Sequence, residues 1–289
     1  MKKTDAVVWM LLGQSNAVGH ALPMRKEDII STPLGNVFGL SREKNQTFDN
    51  TELFWEGYTS FGMNLAEEQD NTYSVANCLA AQWQRAIDSG LDLPDLYIIH
   101  IAIGAQGVTG NYMWNPNQKP HIIPGRLGTV DIALYPFTLH ILSLLDKSFA
   151  ALGKTWRVMG LHWRGGENDM SADDAVLSAT LEPIYRELFH GFRDAAGSDF
   201  PIVLHRIVCP DRALDIDPTG AHLRRMEYIN EVFDRLAAEI PGVSVFDVTR
   251  VPWYIPGVRQ NGIFMSDAVH FTEETNAWVA KQILGEELD

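Results

Sequence analysis

Ala6-Val7-Val8-Trp9-Met10-Leu11-Leu12-Gly13-Gln14-Ser15-Asn16 is the stretch on which the reading of this chain turns. Its apolar run is too short to span a bilayer and rich in β-formers, which makes it an interior strand. The glycine then permits a tight turn and lifts Ser15 out at the strand's carboxyl end. Ligand sites of open α/β sheets gather at that end, and many hydrolases present a nucleophile in this way. Taken alone, the stretch reads better as a polar turn in which Ser15 caps a helix. What overturns that reading lies far downstream.

Working outward, residues 20–72 are expected to be mostly irregular, because Pro23, Pro33, Gly35, Gly39, Gly57 and Gly62 punctuate them. A loop of that length is usually functional or carries short elements of its own. Its aromatics Phe54, Trp55, Tyr58 and Phe61 either line a sugar site or pack the loop onto the body. Val75, Leu79, Trp83 and Ile87 recur every fourth residue and predict a helix over Tyr73–Ser89. Leu96–Ile103 reads as a second buried strand, and it too runs into glycine at Gly104-Ala105-Gln106-Gly107. A second loop, 108–131, mixes Asn111, Tyr112, Trp114, Asn115 and Asn117, a composition that suits a carbohydrate and also simply makes turns.

Further helices are predicted around Phe137–Phe149, over Asp173–Ala195 with a kink or break at Pro183, over Ala221–Glu239, and from Phe271 to Leu284. Strands are predicted at Trp156–Trp163, Pro201–Val208 and Val243–Val248. This alternation implies an α/β chain, a mostly parallel sheet with helices on both faces. No Gly/Ser-rich or Pro-rich linker divides the 289 residues, so residues 1–289 read as one domain.

The net charge of −14 argues against binding nucleic acid, since phosphate recognition needs a basic face. No apolar segment approaches the length of a membrane span. Met1-Lys2-Lys3 hints at a signal peptide, yet the apolar run passes into Gly13-Gln14-Ser15 without a cleavage site. The sequence as it stands therefore predicts a cytoplasmic protein, or a secreted or periplasmic one if a leader precedes it. Cys78 and Cys209 read as two buried free thiols. His100, His162 and His205 lie on or near strands and read as structural residues, not as a metal cluster. No cofactor is expected, and nothing speaks to oligomeric state.

The chemistry collects at strand ends. The first supplies Ser15, the second the Gly104 N–H with Gly107 behind it, the third the Asn168 side chain. Near the end of the chain, Ser266-Asp267-Ala268-Val269-His270 places an Asp and a His three residues apart. Acyl transfer requires this set: a hydroxyl, a base, a group that orients the base, and donors for the developing oxyanion. Each piece is weak alone, and the four in order at strand ends are hard to obtain by accident.

With these residues in view, the sequence resembles the SGNH hydrolase superfamily, in its sialate O-acetylesterase-like and acetylxylan-esterase-like branch. Gly13-Gln14-Ser15-Asn16-Ala17-Val18-Gly19 is similar to that branch's Gly-Gln-Ser-Asn signature, Gly166-Glu167-Asn168-Asp169 to the Gly-x-Asn-Asp element, and Asp267-Ala268-Val269-His270 to the Asp-x-x-His element. The resemblance implies a flavodoxin-like three-layer α/β/α fold and metal-free serine esterase chemistry. Ser15 would be the nucleophile, His270 the base and Asp267 its partner. The Ser15 and Gly104 N–H groups and Asn168 would hold the oxyanion.

The third block departs from the branch's usual Trp-His-Gln-Gly-Glu-Ser-Asp. It reads Trp163-Arg164-Gly165-Gly166-Glu167-Asn168-Asp169. Gln14, Gln106, Arg164 and Glu167 are candidate substrate contacts, although Arg164 pairs as readily with Glu167 or Asp169. Glu167 and Asp169 either orient Asn168, or face solvent or cap a helix. The leading reading is an O-acetylesterase acting on sialic acid, xylan or a related glycan. The alternatives are a short-chain lipase or thioesterase, and a silent sugar-binding protein on the same scaffold.

Overall fold

The computed structural model describes residues 4–20, 24–68, 73–122, 131–208, 217–255 and 263–288. Strand β1 (Ala6–Gly13) is buried along its whole length and splits its side chains between two cores. Ala6, Val8, Met10 and Leu12 face one core, and Val7, Trp9 and Leu11 the other. A strand buried on both faces reads as a continuous apolar run rather than an alternating one.

The other strands are β2 (Val37–Leu40), β3 (Trp55–Gly57), β4 (Asp95–Ala102), β5 (Trp156–Arg164), β6 (Ile202–His205) and β7 (Val243–Phe246). They form one sheet in the order β3-β2-β4-β1-β5-β6-β7. Every pairing is parallel except that of β2 with β3. β1 is central, with β4 on one side and β5 on the other. The chain builds outward from β1 in both directions, and Ser15 emerges at that switch point, where open α/β sheets form ligand crevices.

Among the described residues the helices are α1 (Ser15–Val18), α2 (Arg42–Asn45), α3 (Val75–Asp88), α4 (Leu134–Ser143), α5 (Leu145–Leu152), α6 (Asp174–Ala196), α7 (Ala221–Glu239) and α8 (Glu273–Leu288). Core residues of α4 to α7, such as Phe137, Phe149, Tyr185 and Phe233, cover one face of the sheet. Leu79 and Trp83 of α3 and Val279 and Ile283 of α8 cover the other. The result is a three-layer α/β/α sandwich. Among the described residues, no helix is long and apolar enough to cross a membrane.

Three local expectations change. The stretch 20–72 is not simply irregular, since it holds β2 and β3, the latter as an antiparallel edge. Strands of four and three residues carrying Gly39 and Gly57 show too little alternation to be legible. The helix around Phe137–Phe149 is two helices meeting at Leu144, which caps the end of the first and the start of the second. The helix containing Pro183 continues through it from Asp174 to Ala196 rather than splitting. Trp55 and Tyr58 pack inward, Trp55 against Tyr97 with its indole N–H donating to Ser148 at 2.9 Å. Cys78 is a buried free thiol, and Cys209 lies outside the described residues.

Candidate active site

Gly13 makes the turn after β1 with a φ of +140°, a region open only to glycine. A Cβ there would lie 2.0 Å from the Arg164 carbonyl oxygen on the neighbouring strand. The Gln14 N–H donates to that same carbonyl at 2.9 Å. The turn is therefore tied to β5 before Ser15 opens α1. From the other side, the Trp114 indole N–H donates to the Gly13 carbonyl at 2.9 Å. Ser15 itself is 7% exposed.

Asp267-Ala268-Val269-His270 is a tight turn closed by the Ser266 N–H donating to the His270 carbonyl at 2.8 Å. Asp267 Oδ1 accepts the Val269 and His270 N–H groups, each at 2.7 Å. Its Oδ2 lies 2.7 Å from His270 Nδ1. Burial pushes the Asp267 pKa up, but the bonds from the His270 ring and from the His270 and Val269 N–H groups outweigh it and hold it below the ordinary value. An ionised Asp267 fixes Nδ1 as the protonated nitrogen, which leaves Nε2 as the basic one.

Asn16 brings this turn to Ser15. Its amide donates to the Val269 carbonyl at 3.1 Å, and its carbonyl accepts the Phe271 N–H at 3.3 Å. The residue after Ser15 thus grips both neighbours of His270. The same amide donates to Glu167 Oε1 at 2.8 Å, which adds the loop after β5. The Ser15 hydroxyl and the His270 ring make no hydrogen bond to each other here. Such contacts are often long in a free enzyme and tighten around substrate.

The loops after β4 and β5, which carry the expected oxyanion donors, are joined by Asp169. Asp169 is fully buried and accepts the Val108 and Thr109 N–H groups at 3.0 and 2.9 Å and the Thr109 hydroxyl at 2.7 Å. Burial raises its pKa to about 6 against those bonds. Asp169 is therefore a clamp between the two loops, neither solvent-exposed nor a helix cap. Asn168, next to it, is half-buried. Gly107 backs onto the clamp, where a Cβ would meet Asp169 Oδ1 at 2.5 Å. The Gly104 N–H, expected to serve the oxyanion, donates to Glu67 Oε2 at 2.6 Å.

Two candidate substrate contacts are corrected by burial. Arg164 is 2% exposed and donates through Nη1 to the Asn16 carbonyl at 3.0 Å and to Asn276 Oδ1 at 2.8 Å. Its guanidinium lies 5.0 Å from the Phe271 ring centre, and burial lowers its pKa to about 10. It forms no ion pair with Glu167 or Asp169, but braces α1 against α8. Gln14 is 1% exposed and has no side-chain face for a substrate. Glu167 serves Asn16, as described. Gln106 accepts the Met113 N–H at 3.0 Å and lines a cleft of about 630 Å³ with Thr109, Tyr112, His121 and Asp173. The Tyr112 hydroxyl reaches the Asn168 carbonyl at 3.5 Å, so the cleft adjoins the Asn168 loop.

The three strand histidines have structural partners. His100 Nε2 lies 2.9 Å from the Ala17 carbonyl, and His162 Nδ1 lies 2.9 Å from His205 Nε2. Asn16 was legible only as part of a motif. Glu67 and His20 carried no signal, because their partners lie in other loops. His20 Nε2 is 3.2 Å from Glu67 Oε1, and its ring meets the His270 ring edge-on at 5.9 Å.

Solved structures share this fold over nearly the whole chain. The crystal structure of NanS aligns with a TM-score of 0.61 at 15% identity, covering 100% of this chain and 98% of that one. An Arabidopsis thaliana protein aligns with a TM-score of 0.61 at 14% identity, covering 99% and 98%. The inhibitor-bound M. smegmatis aryl esterase aligns with a TM-score of 0.50 at 13% identity, covering 96% and 99%. The chain shares its three-layer α/β/α fold with these proteins. No family model and no curated protein matches the sequence. Within this fold the β1 turn, the loops after β4 and β5 and the Asp267–His270 turn meet at one end of the sheet.

Proposed function

We propose that this protein is a serine carboxylic ester hydrolase that removes O-acetyl groups from a carbohydrate. The observation that carries the reading is Asn16 binding both neighbours of an Asp267-oriented His270 while standing next to Ser15. His270 takes the Ser15 proton as the oxygen attacks the acetyl carbonyl. The oxyanion forms among the Ser15 N–H, the Asn168 amide and a donor from the loop after β4. The sugar hydroxyl leaves with the proton from His270, and water, activated by the same base, clears the acetyl-enzyme.

A carbohydrate is favoured as the alcohol by the motif resemblance and by the cleft beside Asn168. Its Gln106 and Asn111 offer side-chain amides and Tyr112 an aromatic face, the pairing a sugar ring needs. Sialic acid, xylan and related glycans are the candidate sources of the acetyl ester. Acetate release measured across acetylated xylan and O-acetylated sialic acids tests the assignment. Turnover of at least one, with butyryl and longer esters rejected, is expected. Preference for long acyl chains with no sugar ester turned over would favour a lipase or thioesterase instead.

A further inference from the structure

We infer that the backbone N–H of Ala105, and not that of Gly104, is the oxyanion donor from the loop after β4, with Glu67 as the residue that positions it. This rests on Ser15 being the nucleophile. Glu67 is buried, and its carboxylate accepts the Gly104 N–H at 2.6 Å while its other oxygen lies 3.2 Å from His20. An N–H already held at 2.6 Å by a carboxylate oxygen is not free to serve a second acceptor.

The next peptide differs in each respect. Ala105 is exposed, and its N–H has no hydrogen-bond partner among the described residues. Its φ of +59° is the one positive value at a described non-glycine residue. A side chain is held in that region only where its surroundings enforce it, and such positions cluster at functional sites. The surroundings here are identifiable. Glu67 pins the residue before Ala105, the Gln106 side-chain amide oxygen accepts the Met113 N–H, and Asp169 clamps Val108 and Thr109.

The turn also lies in the right place. Ala102 pairs with Gly13 across β4 and β1, and the Ile103 N–H reaches the Gly13 carbonyl at 3.4 Å. The turn that carries Ala105 therefore leaves β4 next to the turn that carries Ser15 out of β1. Through His20, which meets the His270 ring, Glu67 also contacts the base side of the site.

The direct test replaces the Ala105 amide with an ester by incorporating lactic acid at position 105, which deletes the N–H and keeps the methyl group. With 4-nitrophenyl acetate, kcat should fall by about 100-fold or more at little-changed KM. The loss should exceed that from glycolic acid at position 104 by at least tenfold. A kcat within threefold of wild type in a folded 105 ester, or a larger loss at 104 than at 105, overturns the assignment. Glu67 gives a second test independent of the ester's folding. Glu67→Ala should lower kcat at least tenfold with KM unchanged. Glu67→Gln, whose amide oxygen still accepts the Gly104 N–H, should restore most of it. Equal kcat in Glu67→Ala and wild type, or a rise on freeing Gly104, contradicts the positioning role. If Ser15→Ala abolishes turnover while these results go against Ala105 and Glu67, the inference fails and the esterase reading stands. A wild-type chain with no acetyl ester turnover sinks both.

Discussion

Asn16 grips the backbone on both sides of His270, donating to Val269 at 3.1 Å and accepting from Phe271 at 3.3 Å. One side chain adjacent to Ser15 thus sets where the imidazole stands. Asn16→Ala leaves these groups and Glu167 Oε1 without their partner. It is expected to cost about 1–3 kcal/mol of stability for the unpaired buried groups. It should also lower kcat at least tenfold while KM moves little, because the base is displaced rather than the substrate. Urea melts and acetyl ester kinetics on the same preparation check both.

Asp267→Asn should retain the fold and lose kcat by a factor on the order of 10⁴, as an amide at that position no longer selects the Nδ1-protonated ring. The 2.7 Å contact between Asp267 Oδ2 and His270 Nδ1 carries this expectation. Steady-state kinetics with circular dichroism as the folding control measure it. Loss of less than tenfold would mean that His270 is oriented by something else.

Much of this was legible in sequence because it is local. β1 is buried on both faces, so its seven apolar residues before Gly13 needed no knowledge of partners. The Ala221–Glu239 helix shows its stripe in one-dimensional spacing. Asp267 and His270 meet within one turn. What stayed hidden depends on contacts between distant loops. Glu67 finds Gly104 across 37 positions, and Arg164 finds Asn276 across 112. Nothing in the composition around Arg164 distinguishes a buried brace from an exposed cation. β2 forms on the edge that β4 offers and β3 on the edge of β2, not because Val37–Leu40 alternates.

Acid should destabilise the fold through its buried histidines. Burial holds His100 at about 4 and, with the nearby Arg164 charge, His162 at about 3, and it keeps His205 well below the ordinary 6.5. The unfolded chain then binds more protons than the folded one below 6.5. Stability is present above that value and is lost as pH falls, by up to about 1.4 kcal/mol per pH unit for each histidine. Asp169, raised to about 6, acts oppositely and offsets part of this between roughly pH 4 and 6. Urea midpoints should drop from pH 7 to pH 5, and His100→Gln should flatten the slope. An unchanged slope would mean that His100 titrates normally in the fold.

Gly13→Ala should fail to give a stable fold. The added Cβ would sit 2.0 Å from the Arg164 carbonyl oxygen, at a φ of +140° that L-residues avoid. Moving that peptide separates β1 from β5 where Ser15 is delivered. A loss of about 4 kcal/mol or more is expected, read as a collapse in soluble yield or urea midpoint.

The central claim is that Ser15 is the residue that becomes acylated, with His270 as its base. Exposure to a fluorophosphonate, followed by intact-mass analysis and peptide mapping, tests it most directly. One adduct per chain is predicted, on the peptide carrying Ser15, absent in Ser15→Ala and much slower to form in His270→Ala. An adduct at another residue, or acetyl ester turnover that survives Ser15→Ala, would contradict the account.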